Sequence, residues 1–310
     1  MRILIFHGYL LRGTGSNIYN ASLVRALVRL GHEVHLLSQE PRPEVLDWID
    51  AVGRWEDGEL RVEARRDPAR ITAYKPEIGG LLPVYVSDTY EGFEARPFPD
   101  LSAEELDAYV ERNVDAVRDV LARARPDVAL ANHLVMGPAI LARSLWEEGI
   151  PYAVKVHGSA LEYTVKPHPG RFLPYAREGV APAGGVLVGS RHTAESLWAA
   201  VPEPGLREKT RLGPPGVDVE AFRPLDADSA EASLRELAVN LGGREPERQT
   251  GSAFDRDVEA VARGVRRLAD GSGPLVVFVG KLIVSKGVDL LAAAWPLVLE
   301  AVPDARLVLV

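Results

Sequence analysis

Two lysines in the last part of the sequence are the first residues whose spacing suggests chemistry. Gly280 and Lys281 directly follow a predicted apolar strand at 275–279, and Lys286 lies where an apolar, alanine-rich helix is predicted to begin. Two ammonium groups and the free amides of a helix N-terminus would then lie close together, which suits a diphosphate. Two solvated surface lysines would show the same spacing, so both interpretations stay open at this point.

A glycine-rich loop in the first part of the sequence is the second candidate. Gly13, Gly15, Ser16 and Asn17 precede a predicted helix, and the amides at a helix start favour an anion. The same residues partly match a dinucleotide fingerprint, although its third glycine position holds Ile18. A turn that needs glycine for backbone reasons is a third interpretation.

Polar side chains also follow several predicted strands. Short apolar strands alternate with helices, which predicts an α/β fold with a parallel sheet and helices on both faces. Ligands of such sheets bind beyond the carboxyl ends of the strands. The strands are predicted at residues 2–6, 33–37, 128–131, 152–156 and 185–188. The residues that directly follow a predicted strand include His7, Asn132, His133, His157, Gly158 and Ser190.

Each of these side chains also has a structural interpretation. A histidine such as His157 is more often a hydrogen-bonded part of a core than a functional group. Asn132 and His133 could serve the fold as well as an acceptor cleft. Glu162 lies shortly after His157 and could orient a hydroxyl, although a solvated carboxylate is the commoner role.

Composition excludes several classes of protein. The chain has 310 residues and a formal net charge of -8, which disfavours non-specific nucleic-acid binding, and it has no cysteine for a disulfide, zinc-ribbon or iron–sulfur site. Aspartate pairs occur in polar stretches at Asp226, Asp228, Asp255 and Asp257, away from strand ends, so we predict no metal site. No apolar run is long enough for a signal peptide or a membrane span. We expect a cytoplasmic protein, with peripheral contact to the inner face of the membrane left open.

Five segments, taken together, resemble one known family. They are GTGSNIYNASLVRALVRLGHEVHLLS, VHGS after a strand, GVLVGSRHTAESL, GPPGVDVEAFRP and FVGKLIVSKGVDLLAAAW. In this order and spacing they resemble the retaining glycosyltransferases of family 4 (group 1), which have the twin-Rossmann GT-B fold. The last three segments carry most of the specificity, because the glycine loop alone occurs in many proteins.

The resemblance implies that a sugar is transferred from a nucleotide-diphosphate sugar to an acceptor, with retention of the anomeric configuration. It places Lys281, Lys286 and Gly280 at the donor diphosphate, and His157 in a catalytic position near the donor sugar and leaving phosphate. The loop implied to border the reaction centre consists of Gly13, Gly15, Ser16 and Asn17. The residues expected on the acceptor side are Asn132, His133 and Glu162. Neither a metal nor another cofactor is expected.

The resemblance also divides the chain. Residues 1–225 are expected to form an acceptor-side Rossmann-like domain, residues 226–273 a helical or flexible connection, and residues 274–310 the incomplete start of a nucleotide-sugar-binding domain. The paired glutamates of the family's second domain have no counterpart, so we expect a truncated sequence that is inactive or nearly so by itself. A non-catalytic binding protein that keeps the acceptor-side fold is the alternative, and a Rossmann NAD-dependent oxidoreductase is a further one.

Overall fold

The structure, a computed structural model, describes residues 1–87, 90, 92–243, 257–280 and 282–310. Its strands are β1 Arg2–Phe6, β2 Glu33–Leu37, β3 Ala51–Glu56, β4 Glu59–Ala64, β5 Ile71–Tyr74, β6 Leu81–Val84, β7 Glu94–Pro97, β8 Val128–Asn132, β9 Tyr152–Val156, β10 Gly185–Val188, β11 Thr210–Leu212, β12 Leu275–Phe278 and β13 Arg306–Leu309. Its α-helices are α1 Gly15–Arg29, α2 Ala103–Ala124, α3 Gly137–Leu145, α4 Gly158–Ala160, α5 Pro169–Val180, α6 Arg191–Ala200, α7 Leu206–Lys209, α8 Ala227–Gly242, α9 Val258–Asp270 and α10 Val288–Ala301.

The described residues separate into two compact units, one over residues 1–217 and one that begins at residue 218. The first contains a nine-stranded sheet, counted over the described residues, in the order β11-β10-β9-β8-β1-β2-β5-β3-β4. All of its neighbouring strands are parallel except β3 and β4. The predicted α/β fold with a parallel sheet is therefore confirmed, whereas the domain boundaries at 225 and 273 stay predictions.

The first sheet is covered on both faces, as strand β1 shows. Leu4 and Phe6 belong to a large core that includes α2, α3 and α5, whereas Ile3 and Ile5 belong to a second core that includes Val24 of α1. Successive residues of a strand point to opposite faces, so a strand buried on both sides must be apolar at every position. This requirement explains the continuous apolar run at the start of the sequence.

Residues 41–100 contribute more to the sheet than their irregular sequence predicts. Strand β5 is buried throughout and pairs with β2 on one side and β3 on the other. Asp50 holds this insertion, because its carboxylate accepts hydrogen bonds from the backbone amides of Arg70 and Ile71 at 2.9 and 3.0 Å. Strand β6 pairs with β7 in a separate small sheet.

The second unit contains a strand–helix–strand crossover, which includes the strand and the helix predicted on either side of Lys281. Helix α10 connects β12 to β13, and the two strands pair in parallel with Leu275 opposite Arg306. Helices α8 and α9 pack against each other. Among the described residues of this unit, the buried hydrophobic side chains are those of Ala238 and Ala262.

Helices α3 and α5 approach each other closely at Gly179. A Cβ atom at this position would lie 2.4 Å from the Cβ of Pro138 and 2.7 Å from the backbone nitrogen of Ala139. We therefore expect Gly179→Ala to lower the free energy of unfolding by about 1–3 kcal/mol through overpacking. Gly170→Ala in the same helix is the control, because a Cβ there has no atom within 4 Å. Urea denaturation measures both variants, and equal stability of the two would contradict the expected contact.

Candidate active site

Three neighbouring strands bring the sequence-predicted polar residues together. His7 follows β1, Asn132 and His133 lie at the end of β8, and His157 follows β9, and these strands are adjacent in the order β9-β8-β1. Because the strands are parallel, their carboxyl ends meet at one edge of the sheet. The structure therefore places these four side chains in one cluster, which we call the histidine cluster.

His7 is buried, and both of its ring nitrogens are hydrogen-bonded. Its Nε2 lies 3.0 Å from the carbonyl oxygen of Leu10 and 3.0 Å from Oδ1 of Asn17. Its Nδ1 lies 3.0 Å from Nδ2 of Asn20. Burial outweighs these hydrogen bonds and lowers the pKa of His7 to about 4, so the ring is neutral at pH 7.

The network continues from helix α1 across β8 to His157. Asn132 donates through Nδ2 to Oδ1 of Asn20 at 2.8 Å, and its own Oδ1 lies 3.1 Å from Nε2 of His157. Asn20 and Asn132 are both buried. Buried amide groups with partners on both ends hold a neighbouring ring in one orientation. His157 is thus positioned by the sheet and by α1 together.

His157 is partly exposed, which distinguishes it from the rest of the cluster. The edge of its ring contacts Tyr19 at a centroid distance of 5.3 Å. Burial, together with the nearby His7 and Lys155, lowers the pKa of His157 to about 3. The imidazole is therefore neutral at pH 7 and serves as a hydrogen-bonding group rather than as a cation.

His133 lies behind His157 in an aromatic enclosure. Its ring centroid is 4.8 Å from that of His157 and 4.5 Å from that of Tyr85, and Tyr9 contacts it edge-on at 5.3 Å. Its side chain is 2% exposed, both ring nitrogens lack a hydrogen-bond partner, and its φ is +69°. Burial lowers its pKa well below the ordinary value. An acceptor could reach His133 only if the enclosing rings moved.

The predicted glycine loop is partly helical. Gly13 lies before α1 with a φ of +89°, whereas Gly15, Ser16 and Asn17 form the first turn of the helix. Asn17 is buried and serves the network internally, donating through Nδ2 to the carbonyl oxygen of Arg12 at 2.7 Å. No side chain caps α1, and its first turn holds no acidic residue. The exposed start of this helix is therefore compatible with an anionic group.

Glu162 is the acceptor-side candidate that takes no part in the histidine cluster. It lies in a π-helical segment over Leu161–Val165, after α4. Its carboxylate accepts hydrogen bonds from Lys166 at 2.7 Å and from Ser196 at 2.6 Å. These two donors lower its pKa, so it is ionised at neutral pH. Both of its carboxylate oxygens therefore already accept a hydrogen bond from another side chain of the protein.

The predicted diphosphate residues belong to the second unit. Gly280 follows β12, and its amide donates to the carbonyl oxygen of Val310 at 2.8 Å. Lys286 is exposed at the end of a short 3-10 turn, Val284–Lys286, directly before α10. Lys281 lies outside the described residues, as does Asp255. The pairing of the two ammonium groups stays a prediction.

Sequence reasoning missed three residues that lie beside the histidine cluster, which are Tyr19, Asn20 and Lys155. The Lys155 side chain is buried, donates a hydrogen bond to the carbonyl oxygen of Gly213, and lies with its Nζ 5.4 Å from the centre of the Tyr19 ring. Burial lowers its pKa. The available signal was a lysine inside an otherwise apolar strand, a position that lysine rarely occupies without a partner.

A comparison with protein families matches residues 14–207 to the glycosyl transferase 4-like domain. This segment contains α1, most of the first sheet and the histidine cluster except His7. The chain belongs to the glycosyl transferase 4-like family. Of the sequence interpretations, the glycosyltransferase resemblance is the one that this match supports. No curated protein shows a significant sequence match to the chain.

Solved structures share the fold of this glycosyl transferase 4-like chain. A sucrose-phosphate synthase from Thermosynechococcus elongatus superposes with a TM-score of 0.54 at 18% identity, covering 99% of this chain and 61% of that one. A glycosyltransferase from Rickettsia africae gives a TM-score of 0.51 at 13% identity, covering 99% of this chain and 68% of that one. The chain thus spans about three fifths of the synthase's length. At these identities the similarity shows the α/β, Rossmann-like GT-B type of fold.

Two features are absent from the described part of this glycosyl transferase 4-like chain. None of the helices there is apolar over the length that a bilayer crossing requires. In the same residues, no three histidine, aspartate or glutamate side chains are grouped so that they could hold a metal ion.

The lowered pKa values of His7 and His157 predict how stability depends on pH. Their ordinary value is 6.5, against about 4 and about 3 in the folded protein, so the unfolded chain takes up more protons between these limits. The free energy of unfolding is therefore undiminished above pH 6.5 and falls as the pH drops toward 4. The slope is at most about 1.4 kcal/mol per pH unit for each histidine.

Urea denaturation from pH 7 to pH 4 tests this expectation. His157→Gln removes one of the histidines whose pKa burial lowers, so its free energy of unfolding should vary less with pH than that of the wild type. His168→Gln, at an exposed histidine, is the matched control and should keep the wild-type slope. Equal slopes in wild type and His157→Gln would show that burial does not oppose protonation of His157.

Proposed function

We propose that this protein transfers a sugar from a nucleotide-diphosphate sugar to an acceptor, with retention of the anomeric configuration. The observation that carries the proposal is a neutral, partly exposed His157, held at the carboxyl edge of the sheet inside the segment that matches the glycosyl transferase 4-like family. The absence of cysteine fits a reducing compartment, so the proposed place of action is the cytoplasm.

The proposed reaction builds positive charge on the sugar and negative charge on the departing diphosphate. Fixed positive groups near the leaving oxygens lower the barrier to this separation. In the proposal, Lys286 and Lys281 supply these groups as ammonium ions. These groups provide the required charge by themselves, so the proposal needs no metal.

His157 has a different part in the proposed reaction. A general acid works best with a pKa near the working pH, and a pKa of about 3 leaves almost no protonated His157 at pH 7. A neutral imidazole whose Nε2 faces Asn132 keeps the lone pair of Nδ1 for a substrate group. We assign His157 to hydrogen bonding with a hydroxyl of the donor sugar. The lone pair would repel the oxygens of a phosphate.

A panel of nucleotide sugars, offered to the full-length protein, tests the proposed function. Released nucleoside diphosphate is the readout, first with water and then with a set of hydroxyl acceptors. Turnover with one donor is expected, and the product should keep the anomeric configuration of that donor. Binding without turnover for every donor would favour a non-catalytic binding protein, and an inverted product would contradict retention.

Lys286→Gln tests the proposed diphosphate contact. Removing one charged donor from a developing anion costs about 3–4 kcal/mol, so kcat should fall by about 10²–10³. Arg267→Gln is the matched control, because it removes one positive charge from an exposed position of the same unit. It should retain wild-type turnover. An equal loss in both variants would mean that net charge, and not Lys286, is responsible.

The pH–rate profile tests the role of His157. If its imidazole only accepts a hydrogen bond, His157→Ala should raise the activation free energy by about 1–3 kcal/mol. This lowers kcat/KM roughly 5- to 150-fold at every pH from 6 to 9. A general acid would instead contribute a limb to the wild-type profile that disappears in the variant. Loss of such a limb would overturn the hydrogen-bonding assignment.

A further inference from the structure

We propose that His7, Asn20 and Asn132 form a positioning relay that fixes His157 in the tautomer with the proton on Nε2. The relay joins three strands and a helix, since His7 follows β1, Asn20 lies on α1, Asn132 ends β8 and His157 follows β9. The inference rests on the proposed function only where it concerns substrate. The tautomer itself is a property of the protein alone.

The carbonyl oxygen of Leu10 determines which groups of the relay donate hydrogen bonds and which accept them. This oxygen can only accept a hydrogen bond, so the Nε2 of His7, 3.0 Å away, must carry the proton. The His7 ring is neutral, so its Nδ1 then has a lone pair. The partner of that lone pair, 3.0 Å away, must be the amide nitrogen of Asn20.

The two asparagines carry this direction to His157. With its nitrogen toward His7, Asn20 turns its Oδ1 toward Asn132, which must donate through Nδ2 at 2.8 Å. Asn132 therefore turns its own Oδ1 toward the Nε2 of His157 at 3.1 Å. An amide oxygen only accepts, so this Nε2 carries the proton and Nδ1 has none.

Backbone carbonyl groups confirm both amide orientations independently. The nitrogen of Asn20 also donates to the carbonyl oxygen of Ser16 at 2.9 Å, and that of Asn132 points to the carbonyl oxygen of Phe6 at 3.4 Å. A reversed amide would set oxygen against oxygen at each place. Burial of both asparagines makes such a reversal costly, because no water is available to pair the displaced groups.

The relay leaves one defined acceptor on His157. Nδ1 has no hydrogen-bond partner among the residues that the structure describes, and the ring is partly exposed. The charged and titratable side chains that face the ring are His7, His133 and Lys155, and the Tyr19 ring lies at its edge. Asn20, which touches no substrate in this scheme, is a positioning residue.

Nitrogen NMR of the 15N-histidine-labelled protein tests the relay without substrate. The chain has 7 histidines, so His157→Gln identifies the resonances of His157 by their loss. In the wild type at pH 7, we expect a protonated Nε2 and an unprotonated Nδ1. A protonated Nδ1, or a charged ring, would overturn the proposal before any further variant is made.

Asn20→Leu tests transmission along the relay. It frees Asn132 to reverse, so the two nitrogen resonances of His157 should move toward each other as the tautomers mix. Asn113→Leu is the matched control, because Asn113 is a buried asparagine that donates to Tyr109 within α2. It should leave the His157 resonances unchanged. Unchanged resonances in Asn20→Leu would show that Asn20 has no positioning role.

Asn132→Asp keeps the relay testable if Asn20→Leu does not fold. A carboxylate beside Nε2 stabilises the protonated ring, so the pKa of His157 should rise by at least about one unit. No rise would remove Asn132 from contact with His157. Transfer assays on the same samples separate the two proposals. Turnover with the wrong tautomer would refute the relay alone, and the expected tautomer without turnover on any donor would refute the proposed function alone.

Discussion

A backbone carbonyl oxygen can only accept a hydrogen bond, and that constraint at Leu10 orders the polar residues at the carboxyl edge of the sheet. It places the proton of the His7 ring on Nε2. That proton fixes the orientation of the Asn20 amide, which fixes the Asn132 amide, which in turn fixes the protonated nitrogen of His157. Each reversal would leave a buried group unpaired, at a cost of about 1–3 kcal/mol. The placement of α1 and of three strands is tied to this one orientation.

The buried residues of helix α1 show which part of the sequence maintains this hydrogen-bonded arrangement. Its buried positions are Asn17, Asn20 and Val24, so one inner stripe is polar near the sheet edge and apolar farther along. The polar half cannot shift toward the apolar core without losing its partners. The apolar half cannot move toward the edge without losing the second core. The change of character along the stripe therefore fixes where the helix lies along β1.

Local signals made much of the fold predictable. Strands β1, β2, β9 and β10 have their predicted bounds because each is a short, mainly apolar segment, and Ser102 with Glu105 forms the capping box that their spacing predicts. The insertion of β5 was not predictable, since it depends on a hydrogen bond from Ile71 to the distant Asp50. Asn20 was not predictable, because apolar residues mark the buried face of a helix in a sequence and Asn20 is a buried polar residue of α1. The sequence predicts that the site lies at the carboxyl edge of the sheet, but it does not predict the hydrogen bonds that connect the residues there.

Because His157 is neutral at pH 7, it cannot supply the positive charge that the proposed reaction requires. Desolvation opposes a positive charge on His157, and the nearby His7 and buried Lys155 oppose it further, so the sheet edge disfavours a cationic His157. In the proposed reaction, the charge on the departing diphosphate must then be met by exposed groups such as Lys286. Burial favours a neutral group that accepts a hydrogen bond, whereas exposure to water favours a charged group, so one residue cannot serve both purposes.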